Sequence, residues 1–135
     1  MEPEPIAPVE VKLRMETGEA VAFLDSRSDE AWQKAEWQIP NSRRVPPDDV
    51  ETHLDEIPRR GLVVPYCSCP HEESSLRVAQ TLAQRGWTNA RPLLGGIDAW
   101  RLAGYPAEAK PTRRQPFSEV AANLRNAEGN DNADQ

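Results

Sequence analysis

Two short runs of apolar residues, Ala20–Leu24 and Leu62–Cys67, restrict the fold of this chain more than any other feature. Each run has the length of a β-strand, and neither alternates polar with apolar residues, which indicates that both faces of the strand are covered. The segment Ser75–Arg85 follows the second run with apolar residues at helical spacing, and Gly86 predicts its end. Together these segments predict a parallel sheet covered by helices.

Further short elements continue this alternation. The segments that we expect to be helical are Val9–Met15, Glu30–Glu36, Asp48–Ile57 and Ile97–Leu102, and those that we expect to be strands are Arg43–Val45 and Ala90–Leu94. Because strands alternate with helices, the sequence predicts an α/β fold with a mostly parallel central sheet flanked by helices.

The polar ends of the chain set the expected domain bounds. Residues 1–5 are predicted to be a disordered leader, residues 6–107 a single domain and residues 108–135 a polar tail. Within the tail, apolar residues at nearly helical spacing around Phe117 predict a short helix near residues 117–125.

The composition excludes two classes of function. A net charge of −6 offers no basic surface to nucleic acid. No apolar run approaches the roughly 20 residues that a membrane-spanning helix requires.

The acidic N-terminus lacks the basic and apolar regions of a secretory signal. The chain has two cysteines, which are too close in sequence for an unstrained disulfide, so we expect a reduced, cytoplasmic setting.

The residues that suggest chemistry lie between the second apolar strand and the helix that follows it. Both cysteines, Cys67 and Cys69, stand in this segment. A strand that ends at a helix N-terminus can aim a thiolate into a cup of backbone N–H groups, which stabilise negative charge on sulfur or on a bound anion. The residues that we expect in this active-site loop, besides Cys67, are Ser68, Cys69, Pro70, His71, Glu72, Glu73, Ser74 and Ser75.

Four motifs together resemble one known family. They are an apolar strand with Asp-x-Arg at Phe23–Arg27, an Ile-Pro turn at Ile39–Ser42, a strand ending in cysteine at Val63–Cys67, and a Gly-Gly-x-x-x-Trp segment within Leu94–Trp100. As a set, over roughly residues 6–107, they resemble the rhodanese-like domain family of sulfurtransferases. The resemblance implies a rhodanese-like fold and a catalytic cysteine at the end of the strand.

Several positions depart from the family pattern. Trp37 and Gln38 stand where many members have Gly-His before the Ile-Pro turn. Glu72 and Glu73 occupy a loop in which thiosulfate-using members commonly carry basic residues, and this predicts poor use of thiosulfate. The sixth position after each cysteine is Glu73 or Ser75, not arginine. That argues against the related phosphatases, whose Cys-x5-Arg loop clamps a phosphoryl group.

Two ways of counting give two different nucleophiles. Counted from the strand, Cys67 falls in the family position; counted back from the helix, Cys69 gives the usual seven-residue loop. The cup needs N–H donors directly after the nucleophile, and Pro70 has none. This favours Cys67, with Cys69 as the alternative.

Other polar residues near the loop have simpler interpretations. Asp25 and Arg27 are predicted to be structural and to tie the strand end to neighbouring loops. Gly95 and Gly96 are predicted to allow a close approach beside the loop. The two cysteines with His71 make three clustered ligands without a fourth, so we expect no metal site.

The resemblance implies a sulfurtransferase that moves sulfane sulfur through a persulfide on Cys67, without a cofactor. Its expected partners are a small sulfur donor and acceptor, or the thiol of a partner protein. The alternative is a catalytically silent rhodanese-like domain that binds or regulates another protein.

Overall fold

The computed structural model describes residues 3–68 and 73–110. In chain order its elements are α1 (Pro8–Glu16), β1 (Val21–Asp25), α2 (Asp29–Lys34), β2 (Trp37–Gln38), β3 (Arg43–Arg44), a 3₁₀ helix (Glu51–Glu56), β4 (Leu62–Tyr66), α3 (Glu73–Gln84), α4 (Gly96–Leu102) and β5 (Glu108–Ala109).

The central sheet is parallel and has the strand order β3-β1-β4. Val21 of β1 is in register with Leu62 of β4, and Asp25 is in register with Tyr66. The carboxyl ends of the two apolar strands therefore lie side by side, and Cys67 follows directly. This architecture confirms the predicted α/β fold with a parallel sheet flanked by helices.

Successive residues of the two apolar strands face opposite sides of the sheet and enter two separate apolar cores. Phe23 and Val64 belong to the core shared with α1 and α4, which centres on Trp100. Leu24 and Val63 belong to the other core, which α3 and the 3₁₀ helix cover. This is why both runs lack polar alternation: each strand is covered on both of its faces.

Two predicted elements differ from the structure. Residues 90–94 form only isolated parallel bridges, Val63 to Ala90 and Ile6 to Leu93. Pro65 of β4 and Pro92 have no N–H, so neither ladder can continue past these residues. The helix expected over Asp48–Ile57 is a shorter 3₁₀ helix, the form in which short helical segments are commonly found.

A second, two-stranded sheet joins distant parts of the chain. Trp37 and Gln38 of β2 pair antiparallel with Ala109 and Glu108 of β5. The Gln38 amide donates a hydrogen bond to the Glu108 carboxylate at 2.7 Å, and the N–H of Lys110 donates to the carbonyl of Glu36 at 2.8 Å. The structure therefore holds residues 108–110 against the segment that precedes the Ile-Pro turn.

The domain bounds drawn from the sequence stay a prediction. At the N-terminal end, the carbonyls of Glu4 and Pro5 accept hydrogen bonds from Arg91. Residues 1–2 and the helix expected near residues 117–125 lie outside the described residues. Within residues 3–68 and 73–110, no helix has the length and apolar character needed to cross a membrane.

Candidate active site

Cys67 lies at the carboxyl end of β4, where the structure holds its thiol beside the first turn of α3. Its Sγ is 3.6 Å from Oγ of Ser75, and both residues are buried. Ser75 is the third residue of α3, so the thiol lies close to the positive end of a 12-residue helix. The thiol is therefore held where the carboxyl end of β4 meets the N-terminus of α3.

The backbone of Cys67 is fixed by the start of α4. The Cys67 carbonyl accepts a hydrogen bond from the N–H of Ile97 at 3.0 Å. Gly96 passes so close that a Cβ atom there would lie 2.0 Å from the same carbonyl oxygen, and its φ is +63°. Only glycine fits both the contact and the left-handed backbone. The Gly-Gly segment thus fixes where β4 ends.

Tyr66, the residue before Cys67, ties β4 to the Ile-Pro turn. Its hydroxyl accepts a hydrogen bond from the N–H of Ile39 at 3.2 Å and donates one to Oγ of Ser42 at 2.9 Å. Burial, with a contribution from the charge of Asp25, raises the pKa of Tyr66 far above its usual value. The hydroxyl therefore keeps the proton that it donates to Ser42.

Asp25 and Arg27 form a buried ion pair at the end of β1. The Arg27 guanidinium donates to both oxygens of the Asp25 carboxylate, at 2.9 and 2.6 Å, and donates to the carbonyl of Trp37 at 3.0 Å. Burial alone would lower the pKa of Arg27, but the hydrogen bond and charge of Asp25 outweigh it and raise that pKa. The pair links β1 to β2. It also places the positive charge of Arg27, neutralised by the Asp25 carboxylate, in the cavity that Cys67 lines.

Two adjoining cavities open at this edge of the sheet. The inner cavity, of about 250 Å³, is lined by Arg27, Ser28, Ala31, Cys67, Ser68 and Ser74. The outer cavity, of about 340 Å³, is lined by Arg27, Ala31, Lys34, Ala35, Glu36, Trp37, Ser68, Ile97, Asp98 and Arg101. Arg27, Ala31 and Ser68 line both, so the outer cavity continues from the space in front of the thiol.

The predicted loop residues fall partly inside the described structure. Ser68 and Ser74 line the inner cavity with Cys67, Glu73 begins α3 and is exposed, and Ser75 contacts the thiol. The predicted loop residues Cys69, Pro70, His71 and Glu72 lie outside the described residues. The functional roles assigned to the loop remain predictions.

Sequence reasoning singled out Arg27, Trp37 and Ser68 but missed the other charged residues of the outer cavity. Lys34 and Glu36 belong to a segment expected only to be a helix, and Asp98 and Arg101 were not singled out. Arg101 lies over the ring of Trp37 at 4.7 Å from its centroid, and Trp37 is itself a departure from the family pattern. That departure was the available signal, because a large residue in place of a small one changes the shape of the pocket rim.

Comparison with known proteins identifies the family. The model of the rhodanese-like domain matches residues 7–103. The chain therefore belongs to the rhodanese-like domain family. A segment of 41 residues is 42% identical to the thiosulfate sulfurtransferase GlpE of Actinobacillus succinogenes. That match covers 30% of this chain and 37% of the enzyme, so it spans little more than a third of the relative's length.

Solved structures show the same fold at low sequence identity. A protein from Bacillus halodurans has a TM-score of 0.66 and 21% identity over 88% of this chain and 89% of that chain. The rhodanese-like domain of an Anabaena protein has a TM-score of 0.65 and 22% identity, and the match covers 87% of this chain and 91% of that chain. A rhodanese-like domain protein from Staphylococcus aureus has a TM-score of 0.58 and 25% identity, and the match covers 72% of this chain and 90% of that chain.

Proposed function

We propose that this chain is a sulfurtransferase that carries sulfane sulfur as a persulfide on Cys67. The observation that carries the proposal is the position of the thiol. It lies at the end of β4, 3.6 Å from the Ser75 hydroxyl in the first turn of α3, and it lines the inner cavity. A cysteine next to a helix N-terminus has the surroundings of a reactive thiol. The Ser75 hydroxyl accepts from the thiol in the structure, and it can donate to the thiolate.

The proposed reaction has two half-reactions. In the first, the Cys67 thiolate attacks the sulfane sulfur of a donor; a bond forms between the two sulfur atoms, and the bond from that sulfur to the rest of the donor breaks. The electron pair of the broken bond leaves with the donor remnant. In the second, an acceptor thiolate takes the outer sulfur and releases the Cys67 thiolate. This is covalent ping-pong catalysis that uses no cofactor.

The partners that fit this chemistry are a small sulfur donor and acceptor, or the thiol of another protein. A reducing compartment such as the cytoplasm suits a free thiolate, because glutathione and thioredoxin keep thiols reduced there.

Intact-mass measurement tests the proposal. The protein is incubated with a sulfane-sulfur donor, desalted and weighed, and we expect a gain of one sulfur atom that cyanide or a thiol removes. Thiosulfate and an organic persulfide are used separately, because the two donors differ in charge.

A second candidate is a rhodanese-like domain that binds a partner protein and transfers no sulfur. The observation that favours it is the exposure of Cys67, which is 1%. Cysteines that are buried in this way are commonly inert. If folded protein gains no sulfur from either donor, the binding domain is the better explanation.

Ser75→Ala is expected to slow sulfur loading by roughly 10- to 100-fold, because a hydrogen bond to a charged group contributes about 1.5–3 kcal/mol. The measurement is the rate of mass gain at a fixed donor concentration, together with the rate of alkylation of Cys67 by iodoacetamide. Thr81→Ala is the matched control, since it removes a hydroxyl from the same helix at a position that lines neither cavity. Equal losses in the two variants would contradict a specific role for Ser75.

The double variant Glu72→Gln/Glu73→Gln is expected to lower the KM for thiosulfate by roughly two- to fivefold. Removing like charge from the approach of a dianion relieves a repulsion that is worth about 0.2–1 kcal/mol at exposed positions. Asp55→Asn/Glu56→Gln is the control, because it removes an adjacent acidic pair from the exposed 3₁₀ helix. An unchanged KM in the loop variant, or an equal fall in the control, would contradict the prediction.

A further inference from the structure

The outer cavity has walls that each carry one cation and one carboxylate. The end of α2 and the residues after it contribute Lys34 and Glu36, and α4 contributes Asp98 and Arg101. Of the charged lining residues that the structure describes, the remaining one is Arg27, which is neutralised by the buried carboxylate of Asp25. Among the residues that the structure describes, the lining therefore carries two cations and two carboxylates besides the Arg27 and Asp25 pair.

Asp98 and Arg101 form the sharper of the two pairs. They are three residues apart on α4, so their side chains project from the same side of the helix with Cβ atoms about 5–6 Å apart. The Arg101 guanidinium lies over the Trp37 ring at 4.7 Å, a contact that limits where it can point. Lys34, in contrast, contacts Glu30 at 3.2 Å, and its side chain is 75% exposed.

We propose that the outer cavity binds a small zwitterionic thiol, with an ammonium and a carboxylate on neighbouring atoms, as the acceptor of sulfur from Cys67. The assignment rests on the proposed sulfurtransferase function. Arg101 contacts the carboxylate of this acceptor, and Asp98 contacts its ammonium. A cavity of about 340 Å³ lies at the lower end of the range for small-ligand sites, which suits a molecule of amino-acid size.

The charge pattern separates this acceptor from the other thiols available. Beside the compensated Arg27, a dianion meets two cations and two carboxylates among the described residues of the outer cavity and gains no net attraction there. A neutral thiol gains nothing from either charge. Only a zwitterion contacts both members of the Asp98 and Arg101 pair while its sulfur extends through the space lined by Ala31 and Ser68 toward Cys67.

The transfer step balances without any further reactant. The acceptor enters as its thiolate, and its sulfur attacks the outer sulfur of the Cys67 persulfide. A bond forms between these two atoms, the bond from the outer sulfur to Sγ of Cys67 breaks, and Cys67 leaves as the thiolate. The proton on the outer sulfur stays with it, so the products are an acceptor persulfide and the free Cys67 thiolate.

The experiment loads the protein with sulfur, removes the donor and follows the discharge of the persulfide by intact mass. Four thiols are compared at equal thiolate concentration: L-cysteine, cysteamine, 3-mercaptopropionate and 2-mercaptoethanol. We expect L-cysteine to discharge the protein roughly tenfold faster than 2-mercaptoethanol, with the two singly charged thiols between them. Each exposed charged contact contributes up to about fivefold, and L-cysteine makes two. Equal rates for all four thiols would overturn the proposal.

Two variants locate the contacts. In Arg101→Gln, we expect thiols with a carboxylate to lose their faster discharge of the persulfide. In Asp98→Asn, we expect thiols with an ammonium to lose theirs. The controls are Arg85→Gln and Asp55→Asn, which remove a cation or a carboxylate from exposed positions elsewhere. If the controls change the order of the four thiols as much as the cavity variants do, the outer cavity does not select the acceptor.

Binding without transfer separates this proposal from the proposed function. S-methyl-L-cysteine has the zwitterion but no free thiol, and its binding to the unloaded protein is followed by NMR at the Trp37 indole N–H. We expect shifts that saturate in the unmodified protein and weaken in Arg101→Gln and Asp98→Asn. Saturating shifts with no sulfur loading would refute sulfur transfer and leave the binding site standing. Normal loading with no shift would overturn the site and leave sulfur transfer standing.

Discussion

Cys67→Ala protein is expected to gain no sulfur from any donor, and its donor-to-acceptor turnover should fall by roughly 10³-fold or more, as losses of a covalent nucleophile do. The reason is geometric. Among the residues that the structure describes, Cys67 is the cysteine that lines the inner cavity, and it lies beside Ser75 in the first turn of α3. Without its sulfur, neither half-reaction has an atom on which to carry the transferred sulfur.

The matched variant is Cys69→Ala, which should keep most of the loading. Pro70 has no N–H, so a thiolate at position 69 would lack the first donor of its cup. Cys67→Ser, which keeps nearly the volume of the buried side chain, shows whether a loss in Cys67→Ala comes from the chemistry or from the fold. Normal loading of Cys67→Ala, with none in Cys69→Ala, would assign the nucleophile to Cys69.

The parts of the fold that could be predicted from the sequence are those with a strong local pattern. β1 and β4 are uninterrupted apolar runs, and each begins and ends within one residue of its predicted bounds. α3 follows helical spacing, yet one of the residues that it buries is Ser75. A serine gives no hydrophobic signal, so its place in the site depends on tertiary contact with Cys67.

The unpredicted parts depend on contacts between residues far apart in sequence. β2 and β5 are two residues long, and they pair across about 70 positions of the chain, which no local periodicity can reveal. The outer cavity has the same origin, because α2 and α4 bring Lys34 and Arg101 to one opening. The Gly-Gly motif did indicate a close approach, and the structure identifies the carbonyl of Cys67 as the group approached.

Asp25→Ala is expected to lower the free energy of unfolding by about 3–5 kcal/mol, the range measured when one partner of a buried ion pair is removed. The Arg27 side chain is 2% exposed, so without the Asp25 carboxylate its charge would be buried and uncompensated. This loss is a large part of the roughly 5–15 kcal/mol by which domains are stable. The thermal midpoint should fall by roughly 10–20 °C in calorimetry.

Asp29→Ala is the matched control, because it also removes an aspartate from a pair with an arginine. The Asp29 side chain is 83% exposed, and its contact with Arg44 at 2.9 Å should be worth about 1 kcal/mol or less. The double variant Asp25→Ala/Arg27→Met removes both buried charges and should recover much of the loss, since an apolar replacement leaves no charge to be paired. Two results would contradict this prediction: thermal midpoints of Asp25→Ala and Asp29→Ala that differ by only a few degrees, or a double variant that is less stable than Asp25→Ala. Either result would mean that the Asp25 and Arg27 ion pair is not what holds the end of β1 beside Cys67.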